Sequence, residues 1–210
     1  VAVHHIYDCI NLGNVASDMT RLQTAPNHSR DANTAYNDNG IDIEAVKNQD
    51  GYIDLTHADF YMDPVTGDLR VKVTVRNLAP TQDDANVVGW IDFDQDGTYS
   101  GYGEASEVEI VPYGTNGYAV LTWQKANERL RNTLIRASDN TFRTTYMRIR
   151  ITTDHMDGAQ PTGLFFNGEV EDYRVDFKIS EVVKQLLTSG PVNLGDTVEY
   201  KVVVKNYMPA

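Results

Sequence analysis

The stretch Asp92-Phe93-Asp94-Gln95-Asp96-Gly97-Thr98-Tyr99-Ser100, with Glu104 just beyond it, holds the densest chemistry of the chain. Acids at alternate positions, a Gly for the tight turn and a further acid are what Ca²⁺ needs. A hard cation takes six to eight oxygens at about 2.3–2.6 Å, and a short curled loop brings them together. The EF-hand spacing does not fit: its twelfth position falls on Gly103, and the segment before the loop reads as a strand. Asp92, Asp94, Asp96 and Glu104 are therefore candidate Ca²⁺ ligands on a β scaffold. The alternative is a metal-free, solvated hairpin turn rich in Asp.

A second constellation is Gly168-Glu169-Val170-Glu171-Asp172-Tyr173. Strand alternation puts Glu169 and Glu171 on one face with Tyr173, Val175 and Phe177, the face expected to be buried. Carboxylates entering a core need a cation, whether Arg148, Arg150, Arg136 or a metal ion. The expected solution is a structural ion pair of Glu169 and Glu171 with Arg148 and Arg150. Acids two apart on a strand sit about 6.7 Å apart between Cα atoms, near the separation glycosidases use. A jelly-roll glycoside hydrolase is thus one alternative, though neither an aromatic sugar platform nor a third acid accompanies the pair. No nucleophile elbow supports Ser/His/Asp catalysis, and His4, His5, His28, His57 and His155 show no ligand spacing. The expectation is a protein that is not an enzyme.

Tyr99, Tyr102, Tyr113 and Tyr118 are interleaved with Gly101, Gly103, Gly114 and Gly117. Large rigid rings on a mobile backbone make adaptable contact surfaces, so these four are the candidate ligand-binding residues. Rings that merely cover a sheet edge are the other reading.

The elements that must position these groups are strands. Residues 68–76 alternate strictly, with Leu69, Val71, Val73 and Val75 on one face, and 145–152 repeat the pattern with Met147, Ile149 and Ile151 inward and Arg148 and Arg150 outward. Val198, Tyr200, Val202 and Val204 do so again, and further strands are expected at 51–56, 87–93, 107–111, 117–123, 171–179 and 182–187. One short helix is expected over 126–136, where Leu130 and Leu134 lie at i, i+4. Residues 11–50 read as long loops, with one short strand before residue 12. The fold class is all-β: an antiparallel sandwich, jelly-roll or lectin-like, with one short helix and long N-terminal loops. It spans 1–179. Residues 180–210 either open a following module or add strands to the sandwich.

Composition agrees. Of 210 residues, 18 are Lys or Arg and 30 are Asp or Glu, a net charge of −12. Twenty-one of those acids are Asp, a residue of turns, caps and metal loops. No basic stripe exists to hold a nucleic acid, and no apolar run approaches the ~18 residues that span a bilayer. Cys9 is the single cysteine, which excludes an intrachain disulfide. The chain opens on Val1 without an apolar leader and stops after a strand-like run, so it reads as an excerpt of a longer polypeptide.

Four motifs then coincide in order and spacing: Gly89-Trp90-Ile91-Asp92-Phe93-Asp94-Gln95-Asp96-Gly97, Arg148-Ile149-Arg150, Pro161-Thr162-Gly163 and Gly168-Glu169-Val170-Glu171-Asp172-Tyr173. Together they resemble the GEVED domain family of large secreted and cell-surface bacterial proteins. Similar segments occur in the lectin-like non-repetitive regions of CshA-type fibrillar adhesins. The segment from Glu181, with Gly195-Asp196-Thr197-Val198-Glu199-Tyr200-Lys201-Val202-Val203-Val204-Lys205-Asn206, resembles the opening strands of an Ig-like surface-protein repeat. The resemblance implies an extracellular β-sandwich at a bacterial surface or secreted from it. The expected role is adhesion to a host or partner-cell glycan or glycoprotein, and the alternative is a non-binding stalk module. Partners would be that ligand and the adjacent domains of the same adhesin.

Overall fold

The computed structural model describes residues 2–5, 9–13, 22–25, 40–135, 143–178 and 180–209. The strands are β1 (Ala2–His5), β2 (Ile10–Leu12), β3 (Leu22–Ala25), β4 (Thr56–His57), β5 (Phe60–Met62), β6 (Leu69–Asn77), β7 (Ala85–Ile91), β8 (Glu109–Val111) and β9 (Thr115–Trp123). After helix α1 (Ala126–Ile135) come β10 (Arg143–Thr152), β11 (Gly163–Phe165), β12 (Glu169–Phe177), β13 (Ser180–Leu186) and β14 (Tyr200–Asn206).

Two antiparallel sheets make the sandwich. One runs β12-β10-β7-β8. In the other, β6 carries β9 along one edge and β5 and β2 in succession along the opposite edge, with β4 beyond β5. Alternation decides which side chains face inward. Leu69, Val71, Val73 and Val75 of β6 are all fully buried and meet Met147, Ile149, Ile151, Val175 and Phe177 of the facing sheet in one core. Each such side chain contributes about 1.5–3 kcal/mol by leaving water. The rings of Phe60 and Phe177 close the gap between sheets, with centroids 6.1 Å apart. A small third sheet, β11-β1-β3, includes one parallel pair, β1 with β11, so the fold is not wholly antiparallel.

Several expectations about elements need correction. The strand expected at 51–56 is mostly turn. Asn48 accepts the N–H groups of Asp50 and Tyr52, and only an Ile53–Lys47 bridge precedes β4. Within 11–50 lies β3, a strand where loop was expected; residues 14–21 and 26–39 lie outside the described residues. The helix is found where Leu130 and Leu134 put it, with Ala126 and Leu130 buried.

Arg148 and Arg150 do leave the inner face, but not for solvent. The outer face of their sheet is itself covered, by a second core of Val88, Trp90, Tyr99, Met156 and Phe165. Both arginines are fully buried there.

Strands β13 and β14 pair with each other and, among the described strands, with no other. The register puts Val182, Leu186, Tyr200, Val202 and Val204 on one exposed face of this hairpin. Its base returns to the sandwich: Met208 joins the main core, and the Lys178 ammonium lies 4.7 Å from the Tyr52 ring centre and 5.2 Å from that of Tyr207.

Candidate functional site

Leaving β7, the chain curls so that one carboxylate oxygen each from Asp92, Asp94 and Asp96 lies within 4.8 Å of the others. The loop is held by its own backbone. The Asp96 N–H donates to Asp92 Oδ1 (3.2 Å) and Asp94 Oδ1 (3.1 Å), the Gly97 N–H to Asp92 Oδ2 (3.2 Å), and the Thr98 N–H to Asp96 Oδ1 (2.7 Å). Asp92 is buried while Asp94 and Asp96 face solvent. Thr145 anchors the start of the loop by donating its hydroxyl to the Asp92 carbonyl, and Gln95 donates to Thr144 O (2.8 Å).

Glu104, expected as a fourth ligand, does something else. Its Oε1 accepts the Phe93 N–H (2.9 Å) and its Oε2 the Gly101 N–H (2.7 Å), so the carboxylate ties the two ends of the loop together. It stands outside the three-aspartate cluster. Burial pushes its carboxyl up to about 7, against the pull of the backbone N–H groups of Gly101 and Asp94, and the charges of Asp94 and Asp92 add to the rise. Trp123 Nε1 donates to the Glu104 carbonyl (2.7 Å), which fixes the loop to the end of β9.

Beside this loop lies a cleft of about 380 Å³, walled by Tyr99, Ser100, Gly101 and Gly103 on one side and Gly158, Ala159 and Pro161 on the other. The four tyrosines do not share it. Tyr99 is buried with its ring over Arg148, 5.2 Å from the guanidinium, and burial drives its phenol well above the ordinary value. Tyr102 is 94% exposed at the rim. Tyr118 sits beneath Lys72 on the outer face of β9, five residues and so about 17 Å from the Trp123 end. Tyr113 lies beyond it, its N–H bonded to Asp84. Alternation and chain distance separate what sequence proximity grouped.

The acids of β12 divide between the two faces of the sheet. Glu169 stands opposite Ile151 and Glu171 opposite Ile149, so both enter the inner core, fully buried. Glu169 Oε2 accepts the Leu12 N–H (2.6 Å), and Glu171 Oε2 accepts the Gly40 N–H (2.9 Å) and the Tyr173 hydroxyl. Tyr173 in turn accepts the Ile41 N–H (3.2 Å), and burial, followed by the Glu171 charge, holds its phenol well above the ordinary value. The expected ion pairing with Arg148 and Arg150 is therefore wrong. Those arginines stand opposite Asp172 and Val170, on the other face. Arg136, the other cation considered, lies outside the described residues.

Asp172, not Glu169 or Glu171, is the motif acid that pairs with Arg148. Its carboxylate takes Arg148 Nε and Nη2, both at 2.7 Å, a two-point pair with both side chains at 0% exposure. Arg150 is held by the carbonyls of Gln160 (2.8 Å), Thr162 (3.0 Å) and Gly163 (2.9 Å), with its guanidinium 4.1 Å from the Phe165 ring centre. Burial lowers its pKa to about 9, with Arg148 adding to the fall, so it stays charged at neutral pH. Together the two arginines pull the 160–163 segment down over the sheet.

Residues 86–176 match the family model of the GEVED domain. This segment is similar to the GEVED domain. No curated protein and no solved structure matches the chain.

The matched segment includes both arginines, the aspartate loop and the motif on β12, but not the backbone donors to two motif acids. Leu12 and Gly40 come from before its first residue. The GEVED motif therefore acts as a clamp between its own sheet and N-terminal chain, each residue with a separate task. Gly168 lets the strand start: at φ +94°, a Cβ there would lie 1.8 Å from the Ile151 carbonyl oxygen. Gly168→Ala is expected to cost about 3 kcal/mol in urea unfolding, from backbone strain plus that overlap. A loss under 1 kcal/mol would show that the turn relaxes freely.

Proposed function

We propose that this chain is an extracellular binding module of a bacterial surface adhesin, engaging a host glycan, glycoprotein or partner-cell surface through its loops. One observation carries the reading: the aspartate loop, the cleft of about 380 Å³ and the exposed Tyr102 all lie at one end of a rigid sandwich. Loops projecting from such a scaffold are where recognition is expected. The loop is the Ca²⁺ site of this reading. Asp92, Asp94 and Asp96 offer only hard carboxylate oxygens, and the backbone already holds them convergent without spending every lone pair. A bound cation would offset the repulsion among these acids and the neighbouring Glu104. The hairpin β13–β14, with its exposed apolar face, suits the opening strands of a following Ig-like module, which would place this domain within a longer surface protein.

Beads coated with the domain are expected to adhere to host cell layers many-fold better than albumin-coated beads. Equal retention of the two would reject the binding reading. It would leave the stalk reading, which draws on a specific fact: the motif residues of β12 are engaged inside the fold.

A further inference from the structure

We propose that the hollow between α1, β9 and the 102–107 turn is the sugar subsite of this module, built for a neutral hexose-type ring. The proposal rests on the binding-module reading and adds where the ligand sits and of what class it is. The hollow has about 200 Å³ and adjoins the larger cleft along Gly103 and Ala105, so the two form one trough.

Its walls carry three planar polar groups: the Glu107 carboxylate, the Gln124 amide and the Arg129 guanidinium. Each presents paired polar atoms in one plane, the arrangement that spans two neighbouring hydroxyls of a sugar. They are held in place before any ligand arrives. Arg129 donates from Nε to the Tyr102 carbonyl (3.2 Å) and from Nη1 to the Gln124 carbonyl, and the Gln124 amide donates to Glu107. Gly103 makes room for this: a Cβ there would fall 1.9 Å from Arg129 Nη2.

Tyr102 completes the site. At 94% exposure its ring does nothing for the core, yet the Arg129 guanidinium lies 5.4 Å from the ring centre, beside the hollow. A rigid, exposed aromatic next to planar hydrogen-bonding groups fits the apolar C–H face of a sugar ring. Charge selects for neutrality. The Glu107 carboxylate and the Arg129 guanidinium leave the lining of the hollow with no net charge, which suits an uncharged ring better than a sialylated or sulfated one.

The test is a printed array of neutral and sialylated oligosaccharides, probed with the wild type and with Tyr102→Ala, Arg129→Met and Tyr200→Ser. Neutral glycans are expected to bind the wild type, and both hollow substitutions to weaken binding by about tenfold. The melting temperature of Tyr102→Ala should stay unchanged, and Tyr200→Ser, on the hairpin, should bind as the wild type does. Binding indifferent to both hollow substitutions, or confined to sialylated glycans, overturns the sugar subsite and leaves the adhesin reading standing. An array without signal beside beads that still adhere to cells has the same meaning. Loss of both signals rejects the two together.

Discussion

Replacing Arg148 with Met is expected to lower stability by about 3–5 kcal/mol. The reason is the carboxylate it leaves behind. Asp172 is buried on a covered sheet face, and its two charge-assisted bonds to Arg148 offset the cost of taking that charge out of water. Asp172→Asn is expected to be strongly destabilising too, because it leaves the buried Arg148 guanidinium charged without its carboxylate partner. The double substitution Arg148→Met, Asp172→Leu should recover much of the loss, because an apolar pair of similar volume escapes the desolvation penalty. The carbonyl of Pro161 would lose its Arg148 donor in either case, so recovery is partial. Urea unfolding of the three variants measures this. A single-substitution loss below about 1 kcal/mol would mean that the outer sheet face is open to water.

The second large effect is expected from chelation, if the aspartate loop holds Ca²⁺ as proposed. With the ion at 100–1,000 times its dissociation constant, chelation should lower stability by roughly 3–4 kcal/mol. The double substitution Asp94→Asn, Asp96→Asn should melt at the same temperature with and without EDTA. Both side chains are exposed, and an Asn oxygen can still accept the local N–H groups that shape the loop. A wild-type melting curve indifferent to EDTA would leave only the solvated turn.

How far residue pattern reached depended on whether a sheet face meets water. On β6 one face packs in the core and the other is polar, so the alternation of Leu69, Val71, Val73 and Val75 named the buried side correctly. On β10 the same rule sent Arg148 and Arg150 to solvent and failed, because that sheet is covered on both faces. A signal was present in the run Val87-Val88-Gly89-Trp90-Ile91: apolar residues at successive positions mark a strand buried on both sides. The fate of Glu169 and Glu171 was less legible. Their donors, the N–H groups of Leu12 and Gly40, lie 157 and 131 residues away, and a backbone donor has no side-chain signature. The aspartate loop was legible because alternate acids before a Gly encode their own turn. The tyrosines were not, since Tyr99 and Tyr102 are three apart in sequence yet one lines a core and the other stands in solvent.

Adhesion of coated beads to cells in Ca²⁺ and in EDTA tests most directly whether the clamped sandwich presents a metal-dependent binding end. The expected result is retention in Ca²⁺, loss in EDTA, and loss in both for Asp94→Asn, Asp96→Asn, which stays folded. Equal retention in every condition and for both proteins would contradict it.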